Sequence, residues 1–243
     1  MRIPRIYHAE ALSLGSEIEL NDDAANHVGR VLRLREGAEL ALFCGNNMLY
    51  QATICAASKK NVSVKITAET PANRESPLAI HLAQGISRGE RMDFVLQKSV
   101  ELGVTSITPL FTERCTVKLQ GERLAKKQEQ WQRIVISACE QSGRNFVPEV
   151  RPALSLADWL AQEASGPRLM LEPTAVDSFA TLKPNTAFEI LIGPEGGFSD
   201  QEVSFCHQHD CQGVQMGPRI LRTETAALAA ITALQCQFGD LAG

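Results

Sequence analysis

Strands and helices alternate through the last two thirds of the chain, and this alternation constrains the fold more than any other feature. Apolar runs typical of buried strands occur at 78–84, 105–111, 168–171, 188–192 and 213–216. Apolar residues recur with helical spacing at 89–102, 122–142, 156–162, 200–209 and 223–238. Because parallel strands need crossover connections, the pattern predicts an α/β fold with a mostly parallel sheet covered on both faces.

The first 72 residues follow a different pattern. Alternating segments at 16–20, 39–44, 50–54 and 61–66 predict short strands, and their spacing indicates a small β-barrel. Helical spacing over 22–34 predicts one inserted helix, and Lys59 and Lys60 are expected in a solvated hairpin turn. The polar, proline-containing segment 69–77 is typical of a linker. We therefore expect two domains, 1–72 and 73–243.

The formal net charge of −4 hides a gradient along the chain. Residues 73–144 hold 11 basic and 8 acidic side chains, whereas residues 145–243 hold 5 and 12. A basic middle region is compatible with an RNA contact, because phosphate binding depends on local rather than total charge. The start of the sequence has no apolar core of a signal peptide, and no window is apolar enough to span a bilayer. We therefore expect a soluble, cytoplasmic protein without a membrane partner.

Four potential metal ligands crowd into the segment Cys206-His-Gln-His-Asp-Cys211. Structural zinc sites usually draw their two ligand pairs from separated segments, and the sequence offers no second pair of this kind. We interpret the segment as the end of a helix running into a strand, and we predict no metal site.

Three of the predicted strands end in loops that carry chemistry, at 171–173, 192–198 and 216–225. In open α/β sheets, ligands bind outside the carboxyl ends of the strands. The loop 192–198 contains Gly193, Gly196 and Gly197, and a capping box over 199–202 starts the next helix. Such a loop often binds phosphate, but Glu195 would repel one, and the loop has no Lys or Arg. A ligand with a positive centre, such as S-adenosylmethionine, fits better; the alternative is a tight turn with an exposed glutamate.

The loop 216–225 combines apolar and charged residues directly before an apolar helix. Ile220 and Leu221 would be costly to leave exposed, and Arg222 and Glu224 flank Thr223. This mixture indicates the lining of a ligand site. The alternative is a long connector in which Arg222 and Glu224 pair with each other.

Several motifs resemble one family along the whole chain. They are Met1-Arg-Ile-Pro-Arg-Ile-Tyr-His8, Ser87-Arg-Gly-Glu-Arg91, Gln97-Lys-Ser-Val-Glu-Leu-Gly103, Ala138-Cys-Glu-Gln-Ser-Gly-Arg-Asn145, Gly193-Pro-Glu-Gly-Gly197 and Gly217-Pro-Arg-Ile-Leu-Arg-Thr-Glu-Thr-Ala226. Together they resemble the ribosomal RNA small subunit methyltransferase E family of the SPOUT superfamily. Met216, where the family pattern has Leu, is a mild departure that keeps the apolar character.

The resemblance implies an N-terminal PUA-like β-barrel and a C-terminal SPOUT domain with a deep trefoil knot. It implies an obligate homodimer that binds S-adenosylmethionine in the knot loops and methylates N3 of one uridine near the decoding site of 16S ribosomal RNA, in the 30S subunit. Two alternatives stay open: a SPOUT methyltransferase acting on another ribosomal or transfer RNA base, and a non-catalytic RNA-binding assembly factor.

The site residues follow from this interpretation. Since N3 of uracil carries a proton, we hypothesise that Glu195 or Glu224 is the base and that Arg88 or Arg222 steadies charge on O2 and O4. The predicted cofactor contacts are Leu171, Glu172, Pro173, Ile192, Gly193, Pro194, Glu195, Gly196, Gly197, Met216, Gly217, Ile220, Leu221, Arg222, Thr223, Glu224 and Ala226.

The candidate RNA contacts are cationic or potentially cationic residues of both domains. For any single one of them a solvated surface charge is the simpler interpretation, and alanine at Arg30 or Arg33 is expected to weaken RNA binding without changing cofactor affinity. The set comprises Arg5, His8, Arg30, Arg33, Arg88, Arg91, Arg114 and Arg144.

Overall fold

The computed structural model of the chain describes residues 3–58 and 61–242, so Lys59 and Lys60 lie outside the described residues. Two compact units form: Met1–Glu75 with Cys139–Val147, and Ser76–Ala138 with Pro148–Gly243. The segment Cys139–Val147 belongs to the first unit, whereas the simple division into 1–72 and 73–243 places it in the second domain. Pattern analysis cannot show it, because the segment begins inside a helix without any break in composition. Across the described ranges, every helix is too short or too polar to cross a membrane.

The first unit contains five strands within its described residues, in the order β1-β3-β4-β5-β2. The strands are β1 (Arg5–Tyr7), β2 (Glu17–Glu19), β3 (Glu39–Phe43), β4 (Met48–Ala57) and β5 (Val62–Pro71). Only β1 and β3 pair in parallel; the other neighbours are antiparallel. The described pairings leave β1 and β2 at the edges, whereas a closed barrel would join its edge strands.

Two local features of this unit differ from the sequence-based expectations. The helix predicted over 22–34 is α1 (Asp22–Asn26), which continues as a π-helical turn over His27–Val31. The Leu32 N–H donates to the His27 carbonyl at 2.9 Å, the wider spacing that defines such a turn. Strand β5 also runs through the start of the predicted linker, since Pro71 pairs in register with Met48.

The segment Cys139–Val147 packs by polar contacts inside the first unit. The Arg5 guanidinium donates to the Asn145 amide oxygen at 2.7 Å and to the Arg144 carbonyl at 3.0 Å. Arg144 is 4% exposed and forms an ion pair with Glu75. The backbone N–H of Tyr7 donates to Glu140 at 3.0 Å. These contacts explain why the segment belongs to this unit.

The second unit is a parallel sheet with helices on both faces. Its strands lie in the order β12-β10-β11-β6-β7-β8, with β9 also paired to β7. All pairs are parallel, as predicted. The strands are β6 (Ala79–Gly85), β7 (Ser106–Phe111), β8 (Glu149–Val150), β9 (Leu154–Ser155), β10 (Arg168–Leu171), β11 (Ala187–Ile192) and β12 (Gln212–Val214).

The predicted helices of this unit are confirmed with bounds shifted by at most two residues. They are α2 (Glu90–Glu101), α3 (Gly121–Ser142), α4 (Leu156–Leu160), α5 (Asp200–Gln208) and α6 (Thr223–Phe238), and α3 ends in the segment assigned to the first unit. Helix α6 packs on β6 and β11 and against α2. Side chains of α4 and α5, including Trp159 and Cys206, pack in one core cluster with Ala83 and Leu191 of the sheet. The central strands are therefore covered on both faces, which explains their continuous apolar sequences.

Candidate active site

The three strand-end loops meet at one cavity of about 640 Å³, which lies at the carboxyl ends of β10, β11 and β12. All seventeen predicted cofactor contacts line it, from Leu171 through Ala226. This convergence is tertiary, because the loops at 171–173, 192–198 and 216–225 are far apart along the chain. The lining also includes residues that the sequence analysis did not assign to the cofactor: Arg91, Arg114, Phe198, Val203, Val214 and Arg219.

The backbone of the loop 192–198, called the glycine loop below, approaches its neighbours closely. A Cβ atom on Gly196 would lie 3.0 Å from the Arg114 Cβ, and one on Gly193 would lie 3.2 Å from Gly197. Gly197 has φ +66°, in the left-handed region that favours glycine. The loop ends in the predicted capping box, in which the Ser199 hydroxyl accepts from the Glu202 N–H and Glu202 accepts from the Ser199 N–H. These contacts leave little room for side chains at Gly193 and Gly196.

Two glutamates tie this loop region to neighbouring strand ends. The Glu195 carboxylate accepts from the Arg88 N–H at 2.9 Å and lies 3.3 Å from the Arg91 guanidinium. The Glu202 carboxylate accepts from the Glu113 N–H at 2.8 Å. The loops after β6 and β7 are thereby fastened to the glycine loop. Glu202 was not among the predicted site residues, although its place in the capping box marked it in the sequence.

The contacts of Glu195 also set its protonation. Partial burial raises the pKa of Glu195, but the backbone N–H groups of Arg88 and of Glu195 itself, with the Arg91 guanidinium, lower it by more. The resulting pKa lies below its ordinary value. A carboxylate of lowered pKa is a weaker proton acceptor, so Glu195 has the geometry and charge of a loop anchor.

Glu224 is in the opposite situation. It lines the same cavity from the first turn of α6, and its Oε2 atom is buried without a hydrogen-bond partner in the structure. Arg222, the residue before α6, also lines the cavity and is exposed. Arg222 and Glu224, which both lie in the described part of the chain, are not an ion pair, so the pairing that the connector alternative assumed is not seen. Ile220, expected to be sheltered, is 85% exposed, because it lies on the rim of an open cavity.

Glu172 is a third glutamate that lines the cavity. Its carboxylate accepts from the Thr174 hydroxyl at 3.0 Å and lies 3.0 Å from His207 Nε2. His207 Nδ1 lies 3.1 Å from the Cys211 carbonyl. The Cys206–Cys211 segment is thus a helix end followed by a strand, as interpreted, and His207 is directed at the cavity wall through Glu172.

The candidate RNA contacts separate into three groups. Arg91 and Arg114 line the cavity, and Arg88 lies beside it, donating to the Thr116 hydroxyl at 2.9 Å. Arg30 and Arg33 are exposed on and after the π-helical turn.

The third group is buried or engaged within the first unit. Arg144 is paired with Glu75, and His8 is 7% exposed, with burial lowering its pKa and Glu10 opposing that shift. Arg144 and His8 are therefore removed from the predicted RNA contacts, because a buried ion pair and a buried imidazole of lowered pKa are poor phosphate ligands. Arg5 is half-buried and donates to the 144–145 backbone and side chain.

Comparison with known proteins agrees with this architecture. Residues 74–235 match the family model of an RNA methyltransferase domain, and residues 20–67 match that of an RNA methyltransferase PUA domain. The ribosomal RNA small subunit methyltransferase E of Buchnera aphidicola subsp. Schizaphis graminum is 39% identical over 99% of this chain and 98% of its own.

Two solved structures are also similar over nearly their whole lengths. A putative methyltransferase from Legionella pneumophila, in complex with S-adenosylmethionine, has a TM-score of 0.97 and 46% identity, covering 99% of this chain and 100% of its own. The ribosomal RNA small subunit methyltransferase E from Neisseria gonorrhoeae, bound to S-adenosylmethionine, has a TM-score of 0.94 and 44% identity, covering 98% and 99%. The chain therefore belongs to the ribosomal RNA small subunit methyltransferase E family.

Proposed function

We propose that this protein transfers a methyl group from S-adenosylmethionine to N3 of one uridine in 16S ribosomal RNA, within the 30S subunit. The observation that carries the proposal is the convergence of the three strand-end loops on one cavity, in a chain of this family. The bound S-adenosylmethionine of the two solved relatives supports the same cofactor here.

The cavity suits that cofactor in size and charge. Its volume of about 640 Å³ lies within the range of about 300–1,000 Å³ typical of small-molecule sites. Leu171, Ile192 and Val214 offer apolar walls, on which an adenine ring could pack. Glu172 and Glu224 offer negative charge to a sulfonium or an ammonium group, and the orphaned Oε2 of Glu224 is an acceptor that a bound group can satisfy.

When bound, S-adenosylmethionine supplies an electrophilic methyl carbon, and the chain must hold the uracil ring in line with it. The N3 proton must leave before N3 can attack. Glu224 is the proposed acceptor of that proton on a carboxylate oxygen, because Glu195 is already held by Arg88 and Arg91. Arg222 lines the cavity and is the proposed cation that steadies the charge on uracil O2 or O4.

The target uridine must be unpaired or flipped out, since Watson–Crick pairing occupies N3. Arg88, Arg91 and Arg114, which lie in or beside the cavity, are proposed to contact phosphates around it. Arg30, Arg33 and Arg5 are proposed as phosphate contacts of the first unit. These assignments rest on exposure and charge.

Other properties implied by the family belong to the same proposal. Residues 1–72 would act as a PUA-like RNA-binding domain and residues 73–243 as the SPOUT methyltransferase domain, with a trefoil knot around the cofactor loops. The active species would be a cytoplasmic homodimer. Light scattering of the purified protein tests the dimer, and a monomer at micromolar concentration would remove it from the proposal.

The decisive experiment is transfer of labelled methyl groups to unmodified 30S subunits and to naked 16S RNA, followed by identification of the product base. N3-methyluridine at one position, formed mainly in the subunit, is the expected result. Label on another base, or transfer to transfer RNA offered as a third substrate, would redirect the activity within the superfamily. Cofactor-independent RNA binding without any transfer would favour an assembly factor.

A further inference from the structure

Gln84 carries a buried amide directly behind two residues that line the cavity. It lies at the carboxyl end of β6 and is 0% exposed. Its Nε2 donates to the Gly85 carbonyl at 3.0 Å and to the Thr223 hydroxyl at 2.9 Å. The Thr223 hydroxyl in turn donates to the Gly193 carbonyl at 2.6 Å. One chain of hydrogen bonds therefore connects β6, the first residue of α6 and the first residue after β11.

The direction of this chain is fixed by the chemistry of its members. A carbonyl oxygen only accepts, so the single hydroxyl proton of Thr223 must go to Gly193. The Thr223 oxygen must then accept from Gln84, which requires the amide to present its nitrogen rather than its oxygen. The Gly85 carbonyl requires the same orientation. Thr223 and the Gly85 carbonyl thus both fix which atom of the Gln84 amide is the nitrogen and which is the oxygen, a choice that is usually ambiguous.

The backbone segments that these hydrogen bonds connect are packed so closely that Gly85 has no room for a side chain. A Cβ atom on Gly85 would lie 2.5 Å from the Pro194 nitrogen. The glycine loop therefore rests directly on the end of β6, and the Thr223 hydroxyl joins it to the start of α6. Loss of that bond would free the Gly193 carbonyl and let the loop shift relative to α6.

We propose that Gln84 is a positioning residue of the methyl-transfer site, acting through the Thr223 hydroxyl to fix the glycine loop against the start of α6. This rests on the proposed function, because it assumes that the cavity binds S-adenosylmethionine. Gln84 touches neither cavity nor substrate directly, so its effect reaches the cofactor only through Thr223 and Gly193. A residue that only stabilised the fold would not change the affinity for S-adenosylmethionine, whereas Gln84 is expected to do so.

The chain offers a matched control in Gln235. It is also a glutamine of the second unit with 0% exposure, and its amide oxygen accepts from the Ser76 hydroxyl at 2.7 Å. It lies near the other end of α6 and does not line the cavity. Each glutamine also has one amide atom without a partner, the oxygen in Gln84 and the nitrogen in Gln235. Replacing Gln84 by methionine removes two donated hydrogen bonds, and replacing Gln235 removes one accepted hydrogen bond at a position away from the cavity.

The test measures S-adenosylmethionine binding by calorimetry on the full chain without RNA, together with amide hydrogen exchange of residues 193–198 in the ligand-free protein. We expect Gln84→Met and Thr223→Val each to raise the Kd about tenfold, the scale of one lost buried hydrogen bond. Both should speed exchange in the loop. Gln235→Met should also lower thermal stability but leave the Kd and the loop exchange unchanged.

A double-mutant cycle distinguishes the proposed route from two independent effects. The double variant Gln84→Met/Thr223→Val should have a Kd for S-adenosylmethionine no higher than that of the single variant with the higher Kd, because each substitution breaks the same series of hydrogen bonds. Thr223→Ser restores the hydroxyl and should recover most of the affinity lost in Thr223→Val.

The outcomes separate the inference from the function on which it rests. Failure of the wild-type chain to bind S-adenosylmethionine would overturn the proposed function. Wild-type binding with an unchanged Kd in Gln84→Met, or additive losses in the double variant, would overturn the role of Gln84. If Gln84→Met does not fold, equal affinities of Thr223→Val and Thr223→Ser overturn it instead.

Discussion

The two ends of the parallel sheet in the second unit both hold buried or partly buried charges, but they hold them differently. At the amino-terminal end, Glu189 of β11 accepts from Arg168 at 2.8 Å and from the Ser165 N–H at 3.0 Å. Arg168 also donates to the Leu160 carbonyl at 2.8 Å, and His81 lies 3.7 Å from Glu189. At the carboxyl end, Glu224 has an unpaired buried oxygen, and Ile220 is 85% exposed.

The difference teaches which end serves stability and which serves binding. Both carboxylate oxygens of Glu189 have hydrogen-bond partners within the fold, whereas the orphaned oxygen of Glu224 and the exposed side chain of Ile220 leave interactions for another molecule. The same sheet therefore has a closed end and an open end, and variants at the two ends should fail in different ways.

The largest expected effect comes from breaking the closed end. Arg168→Met leaves Glu189 buried without its main cation and should lower the free energy of unfolding by about 3–5 kcal/mol. Lys98→Met, which breaks a partly exposed pair with Glu101, should cost less than about 1 kcal/mol. Denaturant titration measures both. Equal losses in the two variants would show that the buried network is no more important than a surface pair.

The closed end also predicts a dependence on pH. Burial raises the pKa of Glu189, but His81, Arg168 and Ser165 lower it by more, to about 2. Since the folded-state pKa lies below that of the unfolded chain, the stabilisation is present above about pH 4.5 and is lost as the pH falls toward about 2. The stability difference between the wild type and Glu189→Gln should shrink by about 2–3 kcal/mol across that window. A pH-independent difference would contradict the assignment.

At the open end, the two glutamates should differ in their effect on chemistry. Glu224→Gln should lower kcat for methyl transfer about a hundredfold, the lower range for loss of a general base. Glu195→Gln should lower kcat no more than about tenfold, because its amide oxygen can still accept from the Arg88 N–H. Single-turnover rates on 30S subunits measure the step directly. The reverse order of effects would assign the base to Glu195.

The smallest effect is expected at two glycines that lie at opposite ends of the parallel sheet. A Cβ on Gly85 would meet the Pro194 nitrogen at 2.5 Å, and one on Gly166 would meet the Ala187 carbonyl oxygen at 2.4 Å. Both alanine variants should lose stability by about 1–3 kcal/mol from overpacking. Only Gly85→Ala should also raise the Kd for S-adenosylmethionine, by about tenfold. A similar loss of affinity in Gly166→Ala would show that the two ends are coupled.

Much of the second unit was predictable from local pattern. Its helices and most of its strands follow from apolar periodicity. The short strands β1, β8 and β9 were missed, because segments of two or three residues have no measurable periodicity. The turn at His27–Val31 was missed because a π-helical turn has nearly the same side-chain spacing as an α-helix over five residues.

The sequence by itself determined the parallel α/β class, the three strand-end loops and seventeen of the residues that line their cavity, because these depend on local propensity and on the general place of ligand sites in such sheets. Only the tertiary structure decided which charges are engaged. It paired Glu195 with Arg88 and Arg91, buried Arg144 against Glu75, and placed Gln84 behind Thr223. Partners 69 to 139 residues apart leave no periodic signal, since they meet only when the chain is folded.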